Sequence, residues 1–356
     1  MKALLYLPVK KRFLPFWEYY QVEYDTLSEL FYEVLICTSI CQVLKHCWRA
    51  DLIYCWWWHR SLPVIIIGKI LCIKTFVTGA IHMFDLSGGP SFYNSSIIYR
   101  LCIRLGLALC DKSMFISRDQ FKQVTSHLYV KSPVVLLSSL SKSASVALST
   151  VMNDREAIRN NSFDNNKGLN FVTTSWHVLS SYRRKGILEV LEALALFKKN
   201  TNYKFRWFII GADGPGIREL NLRINELELT KNVILKIDLP NREKNLLYLT
   251  ADLYLQPSYC EGFGNAVLEA MGCGVPVLVS RYTAQPEVAG NVGFIVMEIT
   301  PEAIYQKIME FMHLDERQLK QLRQNILDFV KARFILDKKV LVFRKAMLEL
   351  GIKADY

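Results

Sequence analysis

No CxxC spacing occurs among the nine cysteines of this 356-residue chain, and their number is odd, so a disulfide framework is not expected. Most of them sit in apolar runs, as do Cys55, Cys72, Cys102 and Cys110, where a thiol acts as a small hydrophobe. A reducing cytoplasm is the expected setting. The six histidines form no ligand spacing, and no DxD-type carboxylate pair is present, so no metal site follows. No apolar run reaches the roughly 18 residues needed to cross a bilayer. Residues 62–73 come nearest and are broken by Pro63, Gly68 and Lys69. The apolar start, Lys2 to Leu7, is too brief for a signal-peptide core and reads as a first strand. Repeats of solenoid period are missing, as are a helix-turn-helix pattern and an RNA-binding aromatic motif.

What is present is basic and apolar. Lys and Arg number 44 against 33 Asp and Glu, a net charge of +11, and hydrophobic residues make up 51%. This balance suits an anionic partner: nucleotide phosphate or anionic lipid, with nucleic acid the weakest candidate. Residues 1–145 hold 16 Lys and Arg and 9 Asp and Glu, so they carry +7 of the total. Within them Lys10, Lys11 and Arg12 stand beside Phe13, Phe16 and Trp17. That pattern fits an interface-seeking loop and equally a basic surface loop over a buried aromatic cluster.

Strand-like and helix-like segments alternate along the chain, which predicts parallel sheets covered on both faces. In the first half, strands are expected at Lys2–Leu7, 51–56, 74–79, 112–117 and 134–138, with helices between them. A polar, Asn-rich stretch around 146–168 marks a linker. The pattern then resumes, with strands at 169–174, 206–211, 233–237, 253–256 and 275–279 and amphipathic helices over 301–313 and 316–334. The division expected is an α/β domain over 1–145, a second over 169–335, and a terminal helix within 336–356.

The densest chemistry lies in Pro257-Ser258-Tyr259-Cys260-Glu261-Gly262-Phe263-Gly264-Asn265-Ala266-Val267-Leu268-Glu269-Ala270-Met271. Gly262 and Gly264 let the backbone approach a ligand. A helix is expected from Asn265, and its free N–H groups make a phosphate site. Glu261 precedes that helix and Glu269 lies in its second turn. Carboxylates accept hydrogen bonds from sugar hydroxyls, so the segment suggests a nucleotide-sugar pocket.

This stretch resembles the retaining glycosyltransferases of the GT-B fold, the "glycosyl transferases group 1". Their motif is a carboxylate, seven residues and a second carboxylate in a PS-x-x-EGFG-x-x-x-LEAM-x-x-G-x-PV setting. The resemblance implies an α/β GT-B architecture, two Rossmann-like domains facing across a cleft, with the last helix crossing back to the first domain. It implies transfer of a sugar from a nucleoside diphosphate to an acceptor hydroxyl with retention, without a metal or other cofactor. The acceptor would be a carbohydrate or lipid-linked glycan, in bacterial surface polysaccharide synthesis. The enzyme would be cytoplasmic, with peripheral contact on the inner face of the plasma membrane.

By the same resemblance, Glu261 binds the donor sugar and Glu269 the ribose diol, with Gly262, Phe263, Gly264 and Asn265 lining the donor site. Lys185, in Arg183-Arg184-Lys185-Gly186, matches the family's KG element that neutralises the diphosphate. The Arg usual a few residues earlier is missing, and Arg183, Arg184 and His177 are the candidates to replace it. Gly211 and Gly214, in Gly211-Ala212-Asp213-Gly214-Pro215-Gly216, match the G-x-GP turn of the donor domain. Pro286 and Glu287 match its G-x-PE-V loop, with Gln285 in place of the usual Gly. His82 follows the strand 74–79, at the strand end where open α/β sheets bind ligands, and matches a His that approaches the donor sugar. Two other readings stand beside this one: a glycosyltransferase-like subunit that binds without turnover, and a nucleotide-sugar 2-epimerase, whose class lacks the EGFG-x-x-x-LEAM setting.

Overall fold

The computed structural model describes residues 1–10, 18–89, 91–141 and 168–353. Lys11, Arg12, Phe13, Phe16, Trp17 and nearly all of the expected linker lie outside them. The chain forms two compact units, one of residues 1–85, 90–142 and 333–356, the other of residues 86–89 and 143–332.

In the first unit the strands are β1 (Lys2–Tyr6), β2 (Glu33–Cys37), β3 (Leu52–Trp56), β4 (Lys74–Thr78), β5 (Lys112–Phe115) and β6 (Pro133–Val135). They pair in parallel in the order β2-β1-β3-β4-β5-β6. Every residue of β3 is buried, as a strand covered by helices on both faces requires. Pro63 does not stop the helix Trp58–Ile70. The chain's last helix, Leu336–Leu348, also belongs to this unit. Its Leu336, Val340, Phe343 and Met347, at helical spacing, pack with Tyr54, Phe76 and Leu136.

The second unit holds β7 (Leu169–Thr174), β8 (Phe205–Gly211), β9 (Val233–Ile237), β10 (Leu253–Gln256), β11 (Val277–Ser280) and β12 (Phe294–Val296). These are parallel too, ordered β12-β11-β10-β7-β8-β9. The chain runs outward from β7 to β9 and then returns to β10 on β7's other side. The crevice beyond the carboxyl ends of β7 and β10 is therefore a topological switch point, where such sheets bind ligands. Phe171, Val190, Leu194, Trp207, Leu253 and Ile304 are among the residues filling the core beneath it.

Further elements belong to the second unit. Leu179–Arg184 forms a short helix, so Arg183 and Arg184 end a helix and Lys185 caps it. A helix spans Asn241–Thr250, ahead of β10. Gln285–Ala289 is helical, and β12 is an added edge strand. No described helix is long and apolar enough to cross a membrane.

Candidate active site

Two strand ends and two helix starts set the site. Thr174 closes β7, Gln256 closes β10, and Glu261 follows in the loop before the helix Asn265–Gly272. Gly186, left-handed at φ +68, starts the helix Ile187–Asn200. A Cβ there would strike the Pro257 carbonyl, so only glycine lets this corner close against the Pro257 loop. That closure brings Arg184 and Lys185 to Glu261.

The Arg184 guanidinium lies 2.9 Å from Glu261 Oε1, and its Nη1 donates to the Cys260 carbonyl at 2.8 Å. Lys185 Nζ stands 3.8 Å from the same carboxylate oxygen and donates to the Thr174 carbonyl at 2.7 Å. Arg183, one residue earlier, is exposed. His177 is buried and its Nδ1 meets the Tyr182 hydroxyl at 2.8 Å. Burial holds its imidazole below the ordinary value, against the pull of Asp213 and Asp238. A neutral His suits the role of second cation poorly, and of the three candidates Arg184 is the one seated beside Lys185 on Glu261.

Gln256 is the hub of this cluster. Its Oε1 accepts from Lys185 Nζ at 3.2 Å and from the Tyr254 hydroxyl at 2.7 Å, while its Nε2 donates to Glu261 Oε1 at 3.2 Å. The Glu261 N–H donates to Thr283 Oγ1 at 2.9 Å. Burial pulls the Lys185 ammonium down to about 8, opposed by Glu261 and Glu269 and assisted by Arg184. Lys185 is thus a cation in a dry setting, where its field acts strongly on a phosphate.

The helix Asn265–Gly272 begins after Gly264, left-handed at φ +103, with no side chain capping it. Its first N–H groups have no carbonyl one turn back to pair with. Asn265 Oδ1 is buried and has no partner among the described residues. An amide can turn over to offer either N–H or C=O, so Asn265 suits a polar ligand at the helix start. Phe263 is buried behind it. Glu269, one turn on, pairs with Lys244 Nζ at 2.8 Å.

Gly211 and Gly214 meet the chain itself. A Cβ at Gly211 would collide with the Ser175 carbonyl and one at Gly214 with the His177 carbonyl. Their missing side chains let the β8 turn nest on the segment after β7. The nesting accounts for both glycines without a nucleotide. His82 lies in the first unit, half-buried, its carbonyl accepting from the Phe92 N–H at 2.7 Å.

Sequence reading missed Gln256, Tyr254, Thr174 and Lys244, and it noted Gln285 only as a replaced glycine. Gln256 had a signal, as the polar end of an otherwise apolar strand. Gln285 is fully buried: its Oε1 accepts from the N–H groups of Ser258 and Ser280, and its Nε2 donates to the Gln256 carbonyl. A side chain at this position thus ties the ends of β10 and β11 together.

Residues 160–327 match the family described as "Glycosyl transferases group 1". A stretch of 147 residues is 29% identical to the putative colanic acid biosynthesis glycosyltransferase WcaL of Salmonella typhimurium, 39% of this chain and 36% of that protein. Another of 76 residues is 40% identical to the O-antigen chain mannosyltransferase B of Escherichia coli, 21% of this chain and 20% of that one. The chain therefore aligns with only about a fifth to a third of these curated relatives' length. Anabaena HepE, solved with UDP and glucose, is similar at a TM-score of 0.74 over 98% of this chain and 99% of its own, at 15% identity. The chain has the GT-B fold, and its residues 160–327 match the model of the group 1 glycosyltransferases.

Proposed function

We propose that this protein is a retaining glycosyltransferase that moves a sugar from a nucleoside diphosphate to an acceptor hydroxyl in bacterial surface polysaccharide synthesis. The observation that carries the reading is the seating of Arg184 and Lys185 on Glu261 at the β7/β10 switch point, next to an uncapped helix start. Similarity to proteins named for O-antigen and colanic acid synthesis supports the pathway class, and UDP bound to HepE supports a nucleotide-sugar donor.

Breaking the glycosidic bond leaves two charges to stabilise: a diphosphate leaving group and an oxocarbenium-like sugar. Lys185, Arg184 and the helix start at Asn265 face the developing diphosphate charge, and preorganised donors of this kind lower the barrier most when they are already in place. Glu261, held by Arg184 and Gln256, accepts from donor sugar hydroxyls and offers its charge to the oxocarbenium. Glu269 accepts from the ribose diol. Retention follows when the acceptor attacks from the leaving-group face and the departing phosphate takes its proton. His82, in the first unit, is the remaining side chain proposed for catalysis. No step calls for a metal, since the cations are side chains. The domain of residues 1–145 takes the acceptor and makes peripheral contact with an anionic membrane, and the enzyme works in the cytoplasm.

The test is transfer and hydrolysis of a panel of UDP- and GDP-sugars, with the anomeric configuration of the first-formed product read by NMR. Release of sugar with the donor's configuration is expected. An inverted product would overturn the retaining assignment. Donor binding with neither transfer nor hydrolysis would favour a binding subunit instead.

A further inference from the structure

Lys244 stands where the helix Asn241–Thr250 should be apolar. It shares the inner stripe with Leu247 and Tyr248, at i+3 and i+4, and is only 8% exposed. A lysine is rarely buried unless its charge is met. Here Glu269 Oε2 meets it at 2.8 Å, the two side chains being 10% and 16% exposed. Lys244 Nζ also lies 5.9 Å from the centre of the Tyr248 ring. The Tyr248 hydroxyl pairs with Thr174 Oγ1 at 2.7 Å, and the Thr174 carbonyl receives Lys185. The pair thus reaches the cluster around Glu261 through the Tyr248 ring and the hydrogen bonds that Thr174 makes to Tyr248 and Lys185.

A carboxylate has room for about four hydrogen bonds. The ammonium sits on Oε2 of Glu269, one of the several hydrogen bonds that a carboxylate can accept. A partly buried carboxylate without a counter-ion loses its charged form, and with it its strength as an acceptor. We propose that Lys244 is a positioning residue for the donor nucleotide: it holds Glu269 ionised and in one orientation, so that the carboxylate receives the two hydroxyls of the ribose. This rests on the assignment of Glu269 to the ribose made above. A bare structural pair, tying the helix Asn241–Thr250 to the helix Asn265–Gly272, would make a different prediction, because it has no reason to sense the 2′-hydroxyl.

The experiment measures binding of UDP, 2′-deoxy-UDP, GDP and 2′-deoxy-GDP to the full chain by calorimetry. Wild type, Lys244→Gln, Lys244→Arg and Glu269→Gln are compared, after thermal melting has shown each to be folded. Wild type should prefer the ribonucleotide by about tenfold or more, the worth of a hydrogen bond to a charged group. Lys244→Gln should erase most of that preference by weakening the ribonucleotide and sparing the 2′-deoxy form, and Lys244→Arg should retain it. In a Glu269→Gln background the Lys244→Gln change should have no further effect on the ratio. Equal weakening of both nucleotides by Lys244→Gln, with the wild-type preference intact, would sink the positioning role alone. A wild type that binds both nucleotides equally would overturn the ribose assignment itself. Should Lys244→Gln fail to fold, Lys244→Met decides: a folded Lys244→Met that loses the ribose preference while binding 2′-deoxy-UDP normally supports the role, and parallel losses refute it.

Discussion

Burial sets Lys185 apart from an ordinary surface lysine, and its titration is a direct probe of the proposed chemistry. With an ammonium that loses its proton near pH 8 in the free protein, kcat/KM should fall as pH rises through about 8. A bound diphosphate stabilises the charged form, so the corresponding limb in kcat should move to higher pH. An alkaline limb at the same pH in both profiles would show that Lys185 does not face the diphosphate. The two glutamates separate by what they touch. Glu261→Gln should lower turnover by about 10²–10³-fold, as for loss of a preorganised electrostatic group, while nucleoside diphosphate binding weakens far less. Steady-state kinetics beside calorimetry with the free nucleotide makes the comparison. Equal losses in turnover and nucleotide affinity would remove Glu261 from the sugar. At this scale Glu261, Glu269, Lys185 and Gly186 are legible in the sequence because local spacing constrains them. Gln256, Gln285 and Lys244 are not, because a lone glutamine or lysine takes its role from neighbours 5 to 29 residues away.

The last helix shows how an element can be legible while its anchor is not. Leu336, Val340, Phe343 and Met347 announce an amphipathic helix, but Lys339 reads as solvated. In the fold Lys339 Nζ sits 2.9 Å from Glu23 Oε1 with both side chains all but inaccessible, at 1% and 2% exposure. The Tyr54 hydroxyl donates to the other oxygen of Glu23 at 3.0 Å. Lys339→Ala leaves a buried carboxylate without its counter-ion, which costs about 3–5 kcal/mol, read as a lower urea midpoint for the first unit. A change under about 0.5 kcal/mol, typical of a surface site, would show the pair to be solvent-linked. A second element bears on the proposed membrane contact. The helix Ile97–Leu109 exposes Ile97, Ile98, Leu101 and Leu105 at 75%, 74%, 53% and 39%, with Arg100 and Arg104 on the same helix. Its packing partner, the helix Trp58–Ile70, adds Ile66 and Ile70. Apolar and basic residues together suit an anionic bilayer. Vesicle co-sedimentation should be salt-sensitive. It should weaken in Ile98→Ser/Leu101→Ser, and in Lys10, Lys11, Arg12→Ser, where each cation is worth about 1 kcal/mol at an anionic leaflet. Binding unchanged in both variants would leave these features as plain surface.

For the whole molecule, the proposed reaction draws its positive charge from side chains, so activity should persist in excess chelator. Loss on chelation and recovery with Mg²⁺ or Mn²⁺ would show that the diphosphate needs an ion the chain recruits. The first half's charge of +7 and the second half's glutamate pair fit the proposed division of labour between acceptor side and donor side.

The sequence alone determined the alternation of strands and helices, because doubly covered strands leave short continuous apolar runs and amphipathic helices a period of 3.6. It also determined the glutamate pair and the KG corner, since a strand, a glycine-bounded turn and a helix fix those residues within one local unit. Tertiary structure alone decided the rest. The strand order places Thr174 beside Gln256, 82 residues on in the chain, and so creates the crevice at β7 and β10. The nesting of the Gly211–Gly216 turn on the segment after β7 goes with a buried His177, while Arg184 stands beside Lys185 on Glu261. Burial turned Lys244, Lys339 and Gln285 from unremarkable polar residues into the partners of Glu269, Glu23 and the β10–β11 ends. Such roles depend on which low-dielectric pocket a side chain enters, and a linear pattern does not carry that information.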